Sequence, residues 1–478
     1  MKYLLPLFVL LLGTAVFAAE RPNIIIVLID DMGWADLSCF GNNTVKTPNI
    51  DQLAHRGLRF TSFYVSAPIC SPSRCGIITG QYPQRWNITS YLDNRQKNTE
   101  RGVAQWLDLK APAFPRLFHD AGYATGHFGK WHLGGQRDVG EAPLITQYGF
   151  GKSLTNFEGL GDRVLPLLQT FDGKEPRKYA LGSDNLGHGT IRWADRHTVT
   201  GIYTEAALDF IKNAEQNRKA FFVNLWLDDV HSPFHPSNGK HTGTPANKKE
   251  RYHQVLVETD KQLSPLFNYI QQSETLRNNT LILLLSDNGP EPGAGSAEPF
   301  RGFKGNLYEG GVRSPLIVWG GNVGNGGLLK SAGTNDTAIF TSIDFAPSLL
   351  KIAGIPVPDN IKFDGEDFSE VLLGAKGRQP RHKPVFWQRP PDRPGPKNEP
   401  FPDLALRWNE WKFLIHFDGS LPQLYDVVND PKESDNLAEK QPQLVEQFRE
   451  QLRQWRALFA DTVQNAESGG LSFTGVVL

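Results

Sequence analysis

The chain has 478 residues, too many for one small core, so two domains are expected. With 50 Lys and Arg against 51 Asp and Glu the formal net charge is −1, which excludes a general attraction to nucleic acid or anionic lipid; any positive charge that matters is local. Beyond the N-terminus no apolar run is long enough to cross a bilayer, so no membrane span is expected.

Lys2, the apolar run Leu4 to Leu12 and the ending Val16-Phe17-Ala18 read as a secretory signal peptide over residues 1–18. The mature protein is expected to be exported, to a periplasm or the extracellular medium. Asn23 to Ile29 is an unbroken apolar run rich in Ile, the pattern of a strand buried on both faces, and it ends in Asp30-Asp31-Met32-Gly33. Thr47-Pro48 opens a short helix that Gly57 closes, and Arg59 to Val65 is a second strand leading to Cys70. There Pro72 suits a first helical turn and Ser71 can cap it, so a helix is expected to begin just after Cys70. Cys70 then lies at a helix N-terminus, where free N–H groups favour an anion, with Arg74 one turn on.

Gln81 to Pro112 and Gly135 to about Thr200 read as irregular polar excursions facing substrate. Between them a helix over Pro115 to Asp120 precedes a strand from Tyr123 to Phe128, which ends in Gly129-Lys130-Trp131-His132-Leu133-Gly134. Tyr203 to Asn213 has helical spacing, and the apolar strand Ala220 to Leu227 ends in Asp228-Asp229-Val230-His231. Glu250 to Gln272 is a long helix with an expected bend at Pro265, and the strand Thr280 to Leu285 ends in Ser286-Asp287-Asn288-Gly289. Leu316 to Trp319 and a helix over Asp344 to Ala353 continue the same domain.

Strands alternating with helices imply an α/β fold with a mostly parallel sheet flanked by helices. Ligands bind outside the carboxyl ends of such strands, so the four polar clusters are expected to form one site. From about Val371 the character changes to a Pro- and Arg-rich stretch, an antiparallel strand pair within Leu404 to Phe417 and a closing amphipathic helix, Gln441 to Leu458. Residues 19–370 are read as the catalytic domain and 371–478 as a smaller α+β domain.

Asp30, Asp31, Asp287 and Asn288 form an all-oxygen set that suits one hard divalent cation, calcium rather than magnesium because the protein supplies so many ligands. Cys-x-Pro-Ser-Arg, four residues and Thr-Gly are all present from Cys70 to Gly80, a stretch that resembles the sulfatase signature. Lys130 and His132 in Gly-Lys-Trp-His-Leu-Gly, His231 before Ser-Pro, Lys304 in Phe-Lys-Gly, and Leu424-Tyr425-Asp426 match further positions of that family.

The resemblance implies an alkaline-phosphatase-like core and hydrolysis of sulfate monoesters. It implies that a maturation enzyme oxidises Cys70 to formylglycine (3-oxoalanine), whose hydrated aldehyde is the nucleophile. Asp30, Asp31, Asp287 and Asn288 would hold the cation, and Arg74, Lys130 and Lys304 would gather positive charge around the ester. His231, assisted by Lys304, is the expected general acid, and His132 the base that releases sulfate.

Export and the basic excursions favour sulfated saccharides as substrates. Trp86, Arg95, Arg101, His188, Arg192, Arg196 and His197 are further substrate-binding candidates, and Arg389 and Arg393 are candidates to close the pocket from the second domain. Two alternatives stay open: a phosphonate or phosphodiester hydrolase of the same superfamily, and a non-catalytic binder of sulfated glycans should Cys70 stay unmodified. Cys39 and Cys75 can pair or remain thiols.

Overall fold

The structure, a computed structural model, describes residues 21–169, 174–237 and 247–459; the expected signal peptide lies outside them. In chain order the first strands are β1 (Asn23–Ile29), β2 (Leu58–Tyr64), β3 (Ala124–Gly129), β4 (Lys152–Leu154), β5 (Arg163–Leu168), β6 (Arg177–Lys178), β7 (Ile191–Asp195) and β8 (Phe221–Trp226). They are followed by β9 (Thr280–Ser286), β10 (Arg313–Trp319), β11 (Gly333–Asn335) and β12 (Phe340–Thr341). The main sheet runs β11-β2-β10-β9-β1-β8-β3-β4, with β12 beside β2. β1 pairs in parallel with β8 and β9, and β3 with β8 and β4, whereas β10 runs antiparallel to both its neighbours.

Every residue of β1, β8 and β9 is buried, because helices cover both faces of the sheet. The period of two along β1 sorts its side chains. Ile25, Val27 and Ile29 face the long helices Val199–Gln216 and Lys248–Gln272, while Ile24, Ile26 and Leu28 join the core that holds Ile77, Phe114 and Phe345. Each fully buried aliphatic side chain contributes about 1.5–3 kcal/mol, so this two-sided burial fixes the sheet that carries the site. Asn247 and Glu250 form a reciprocal capping box that starts Lys248–Gln272, and Pro265 sits inside that continuous helix.

The excursion after β3 is less irregular than its sequence suggests. It supplies β4, the edge strand of the main sheet, and a separate three-stranded sheet ordered β6-β5-β7. Strands of two to six residues with polar members show no long apolar run, so only pairing reveals them.

The C-terminal domain is a four-stranded antiparallel sheet of β13 (Val385–Gln388), β14 (Leu404–Trp408), β15 (Trp411–Ile415) and β16 (Gln423–Asp426). Val445, Phe448, Leu452 and Trp455 of the closing helix Pro442–Ala457 pack on one face against Phe386, Leu404 and Phe413. The other face, through Trp387, Tyr425 and Val427, packs on Tyr64, Leu307 and Tyr308 of the domain built on the main sheet. Trp387 Nε1 donates to Val65 O at 2.6 Å across that junction. Among the described residues no helix is long and apolar enough to cross a membrane.

Candidate active site

Register places the acidic residues. Ile29 stands opposite Ser286 and Leu28 opposite Trp226, so the chain emerges from β1, β9 and β8 at one level, with Asp30-Asp31 beside Asp287-Asn288. β3 reaches the same level with Gly129 opposite Trp226. Gly129 has φ +111, and a Cβ there would lie 1.8 Å from Trp226 O; only glycine lets the chain turn and deliver Lys130.

The helix Cys70–Thr79 presents the cysteine at its first residue, one position earlier than the sequence suggested. Ser71 does not cap it. Its Oγ accepts the Leu92 N–H at 2.9 Å, tying the following loop to the helix, and the capping position belongs to Ile69, without a side-chain bond. At the other end Gly80, left-handed at φ 63, returns its N–H to Gly76 O.

Around Cys70 the charges interlock. Asp30 Oδ1 lies 3.6 Å from Cys70 Sγ and 3.3 Å from Arg74 Nη2, and Asp30 Oδ2 accepts from Lys130 Nζ at 2.7 Å. Asp31 Oδ2 accepts from Lys304 Nζ at 2.6 Å and lies 3.5 Å from His231 Nε2, while its Oδ1 accepts from Asn288 Nδ2 at 2.7 Å. Arg74 grips Asp287 Oδ2 through Nε at 3.0 Å and Nη2 at 2.8 Å, and donates to Lys130 O at 2.8 Å. One oxygen from each of Asp30, Asp31 and Asp287 lies within 4.8 Å of the others, and Asp30, Cys70 and His231 form a second such group.

These contacts set the protonation states. Burial opposes the charge on Asp30, but Lys130 and then Arg74 outweigh it and hold the carboxyl well below the usual range. Asp31 is lowered too, as Lys304 and His231 overcome its burial. Burial pushes Asp287 up to about 7, reinforced by the neighbouring Asp30. Burial also pushes the Cys70 thiol well up, against the pull of Lys130 and Lys304, so the unmodified sulfur is held as a thiol. His132 is pushed well down by burial and by Lys130, leaving a neutral imidazole.

The acidic set fits a divalent cation. Its donors are all oxygen, three carboxylates converge, and Asn288 Oδ1 is buried with no hydrogen-bond partner, an acceptor waiting for a positive charge.

Two residues complete the site that the sequence did not reveal. Glu158, from the second excursion, places Oε2 3.0 Å from Lys130 Nζ and 3.1 Å from His132 Nδ1, and its carbonyl accepts the His132 N–H at 2.7 Å. A lone loop glutamate carries no spacing signal. Leu92 O accepts from His132 Nε2 at 2.8 Å, which fixes the ring with Nδ1 free to take a proton.

The substrate-binding candidates divide. Arg196 is buried against Asp229 at 2.9 Å and Asp228 at 3.3 Å and donates to Asp228 O and His231 O, so it holds the His231 loop and does not face substrate. Arg389 is likewise buried and engaged with Asp403. Trp86 packs on the core with Nε1 on Gln81 Oε1, Arg95 pairs with Glu141 at the surface, His188 and Arg192 are exposed, and His197 lies half-buried before the helix Val199–Gln216. Among the described residues none of these five is joined to the Cys70 cluster by a hydrogen bond, ion pair or ring contact. Arg101 and Arg393 both lie over the Tyr91 ring, at 4.4 and 5.4 Å, and that ring is 6.5 Å from His132. None of the three cysteines is disulfide-bonded in the structure, so Cys39 and Cys75 stand unpaired there.

The family model described as Sulfatase matches residues 22–355, the span that contains Cys70, Arg74, the paired acids, Lys130, His132, Glu158, His231 and Lys304. The chain belongs to the sulfatase family. It is therefore a sulfuric ester hydrolase, and a second model, N-sulphoglucosamine sulphohydrolase, C-terminal, matches residues 303–458. This sulfatase is 31% identical over 382 residues to the N-acetylgalactosamine-6-sulfatase of Canis lupus familiaris, covering 78% of this chain and 69% of that one. It is 29% identical over 475 residues to human arylsulfatase A, covering 90% and 85%. In fold it matches Ps i-CgsB, solved in complex with k-i-k-neocarrahexaose, with a TM-score of 0.72 at 23% identity over 94% of each chain.

Proposed function

We propose that this sulfatase is exported and hydrolyses sulfate esters of saccharides, using a formylglycine made from Cys70 by a maturation enzyme and one calcium ion. We take the division between its catalytic and C-terminal domains to fall near residue 370. The observation that carries the reading is the placement of Cys70 Sγ 3.6 Å from Asp30, at the start of a helix and beside three converging carboxylates. The sugar preference draws on the saccharides named for the relatives. Export draws on residues 1–18.

Asp30, Asp31, Asp287 and Asn288 would hold the calcium, which when bound supplies Lewis acidity toward the nucleophile and the sulfate oxygens. Formylglycine supplies, as its hydrate, a hydroxyl to attack sulfur and a second hydroxyl through which sulfate can later leave. The chain's own residues do the rest. Arg74 is wholly enclosed and fixes the orientation of Asp30 and Asp287. Lys130 and Lys304 bring cationic ends to the cluster and offset the negative charge of an incoming sulfate.

His231 keeps 31% of its side chain exposed and Lys304 14%, so these two can meet the leaving alcohol; the imidazole hands it a proton and the amine assists. His132 accepts a proton at Nδ1, where the Glu158 carboxylate compensates the imidazolium.

Sulfate release from sulfated mono- and disaccharides, an aryl sulfate and matched phosphate esters tests this reading. Turnover of the sugar sulfates ahead of the phosphates is expected. Turnover of aryl esters alone would overturn the saccharide assignment, and a strong phosphate preference the choice of sulfur.

A further inference from the structure

Between β13 and β14 the chain leaves the C-terminal sheet and lies on the catalytic domain, where it is clamped. Asp392 accepts from Ser90 Oγ at 2.6 Å and pairs with Arg101 at 3.3 Å. The clamp sets the next residue, Arg393, over the Tyr91 ring at 5.4 Å.

Tyr91 adjoins Leu92, whose N–H is held by Ser71 in the nucleophile helix and whose carbonyl holds His132. On its other flank the Arg393 stem packs on Gly305, where a Cβ would lie 3.4 Å from Arg393 Cγ. Gly305 follows Lys304, which is bonded to Asp31, and its N–H is fixed to Pro68 O at 2.8 Å. Its φ of +93 also favours glycine, so the close approach is built into the backbone.

Arg393 is thus braced between the neighbour of a catalytic lysine and the neighbour of the segment that orients a catalytic histidine. Arg101 beside it is neutralised by Asp392. Arg393 is exposed, and among the described residues its guanidinium makes no hydrogen bond or ion pair. A positioned, uncompensated, planar fork of donors suits a carboxylate or sulfate held in two bonds.

We infer that Arg393 is a second anion-binding point of the substrate site, contributed by the C-terminal domain. It takes a carboxylate or a second sulfate carried by the same saccharide as the scissile ester. The inference rests on the saccharide reading above and specifies it: the preferred substrate bears two anionic groups on one ring or on adjoining rings. Asp392 is the positioning residue.

The test is the ratio of kcat/KM for a disaccharide bearing the scissile sulfate and a second anion to that for the matching disaccharide with the sulfate alone. In Arg393→Ala the ratio should fall about tenfold or more, through KM, as expected for loss of a charge-assisted pair. Arg393→Lys should lie between, keeping charge without the fork. Asp392→Asn should lower the ratio in the same direction, and Asp392→Asn with Arg393→Ala should fall no further than Arg393→Ala alone. Matched melting temperatures establish folding, which the exposure of Arg393 makes the expected result. A wild-type enzyme that turns over both sugars with a ratio unmoved by Arg393→Ala overturns this inference alone; one that turns over neither, while hydrolysing an aryl sulfate, overturns the saccharide reading with it.

Discussion

Arg74 has no exposed surface, and its donors reach Asp30, Asp287 and Lys130 O, so its contribution is orientation. Cys70 differs: in the proposed reaction it is the residue whose chemistry the surrounding charges serve. Cys70→Ala should abolish sulfate release while the melting temperature stays close to wild type, because the lost sulfur is small and the carboxylate it bonds, Asp30, keeps Lys130 and Arg74. Substantial turnover in that variant would remove the assigned nucleophile. Glu158→Gln keeps the shape of the side chain and withdraws the charge that faces both Lys130 and His132. A fall in kcat of about 10–100-fold with little change in KM is expected, the usual cost of losing a group that orients and compensates catalytic residues; an unchanged kcat would exclude Glu158 from the reaction. The gathering of Cys70, the paired acids, Lys130, His132 and His231 was legible because each stands in a local motif after a strand or at a helix start, whereas Lys304, in the loop between β9 and the helix Glu309–Val312, was named from the resemblance alone. Glu158 was not, being a single carboxylate whose partners are remote in sequence, and Arg196 looked like a free cation because its burial against Asp228 and Asp229 is a tertiary fact.

At the scale of elements, β15 and the short helix Glu309–Val312 meet across the domain junction through buried charge. Lys412 Nζ lies 2.9 Å from Glu309 Oε1 and 3.7 Å from Glu433 Oε1, and Arg313 pairs with Glu309 at 3.0 Å. Burial opposes the charge on Glu309, but Lys412 and the nearby arginines hold it down at about 2, whereas burial pushes Glu433 up to about 7. Lys412→Met strands two buried carboxylates and should cost about 3–5 kcal/mol, read as a large drop in melting temperature; a drop of a degree or less would mean the cluster is not what joins these elements. The Glu433 shift also has a sign. A carboxyl raised above its ordinary 4.5 contributes stability at low pH and loses it as pH climbs through about 7, so Glu433→Gln should flatten the fall in melting temperature between about pH 5 and pH 8. The strands of the parallel core were readable as aliphatic runs. β4 and the β5–β7 sheet were not, since short strands with polar members are defined by their partners, and the helix Cys70–Thr79 began a residue early because Ser71 bonds Leu92 and caps nothing.

For the whole molecule, two parts of the chain meet near the acidic cluster: the parallel sheet supplies the carboxylates, and the Asp392–Arg393 segment between β13 and β14 reaches Ser90, Tyr91, Arg101 and Gly305. The three carboxylates come together only when the chain is folded, so the proposed ion should bind the folded state alone and stabilise it. Chelation should lower the melting temperature and suppress activity together, and calcium should restore both better than magnesium, with about 2.7 kcal/mol regained at a free concentration of a hundred times the dissociation constant. A melting temperature indifferent to chelator would argue against an ion in this cluster. The central claim is that a product of the Cys70 thiol performs the attack on sulfur. Preparations matured to different extents can be compared by the fraction of the residue-70 peptide whose mass shows sulfur replaced by oxygen with the loss of two hydrogens, counted as aldehyde plus hydrate, against the rate of sulfate release. A straight line through the origin is the predicted result, and full activity in protein whose Cys70 is still a thiol would contradict it.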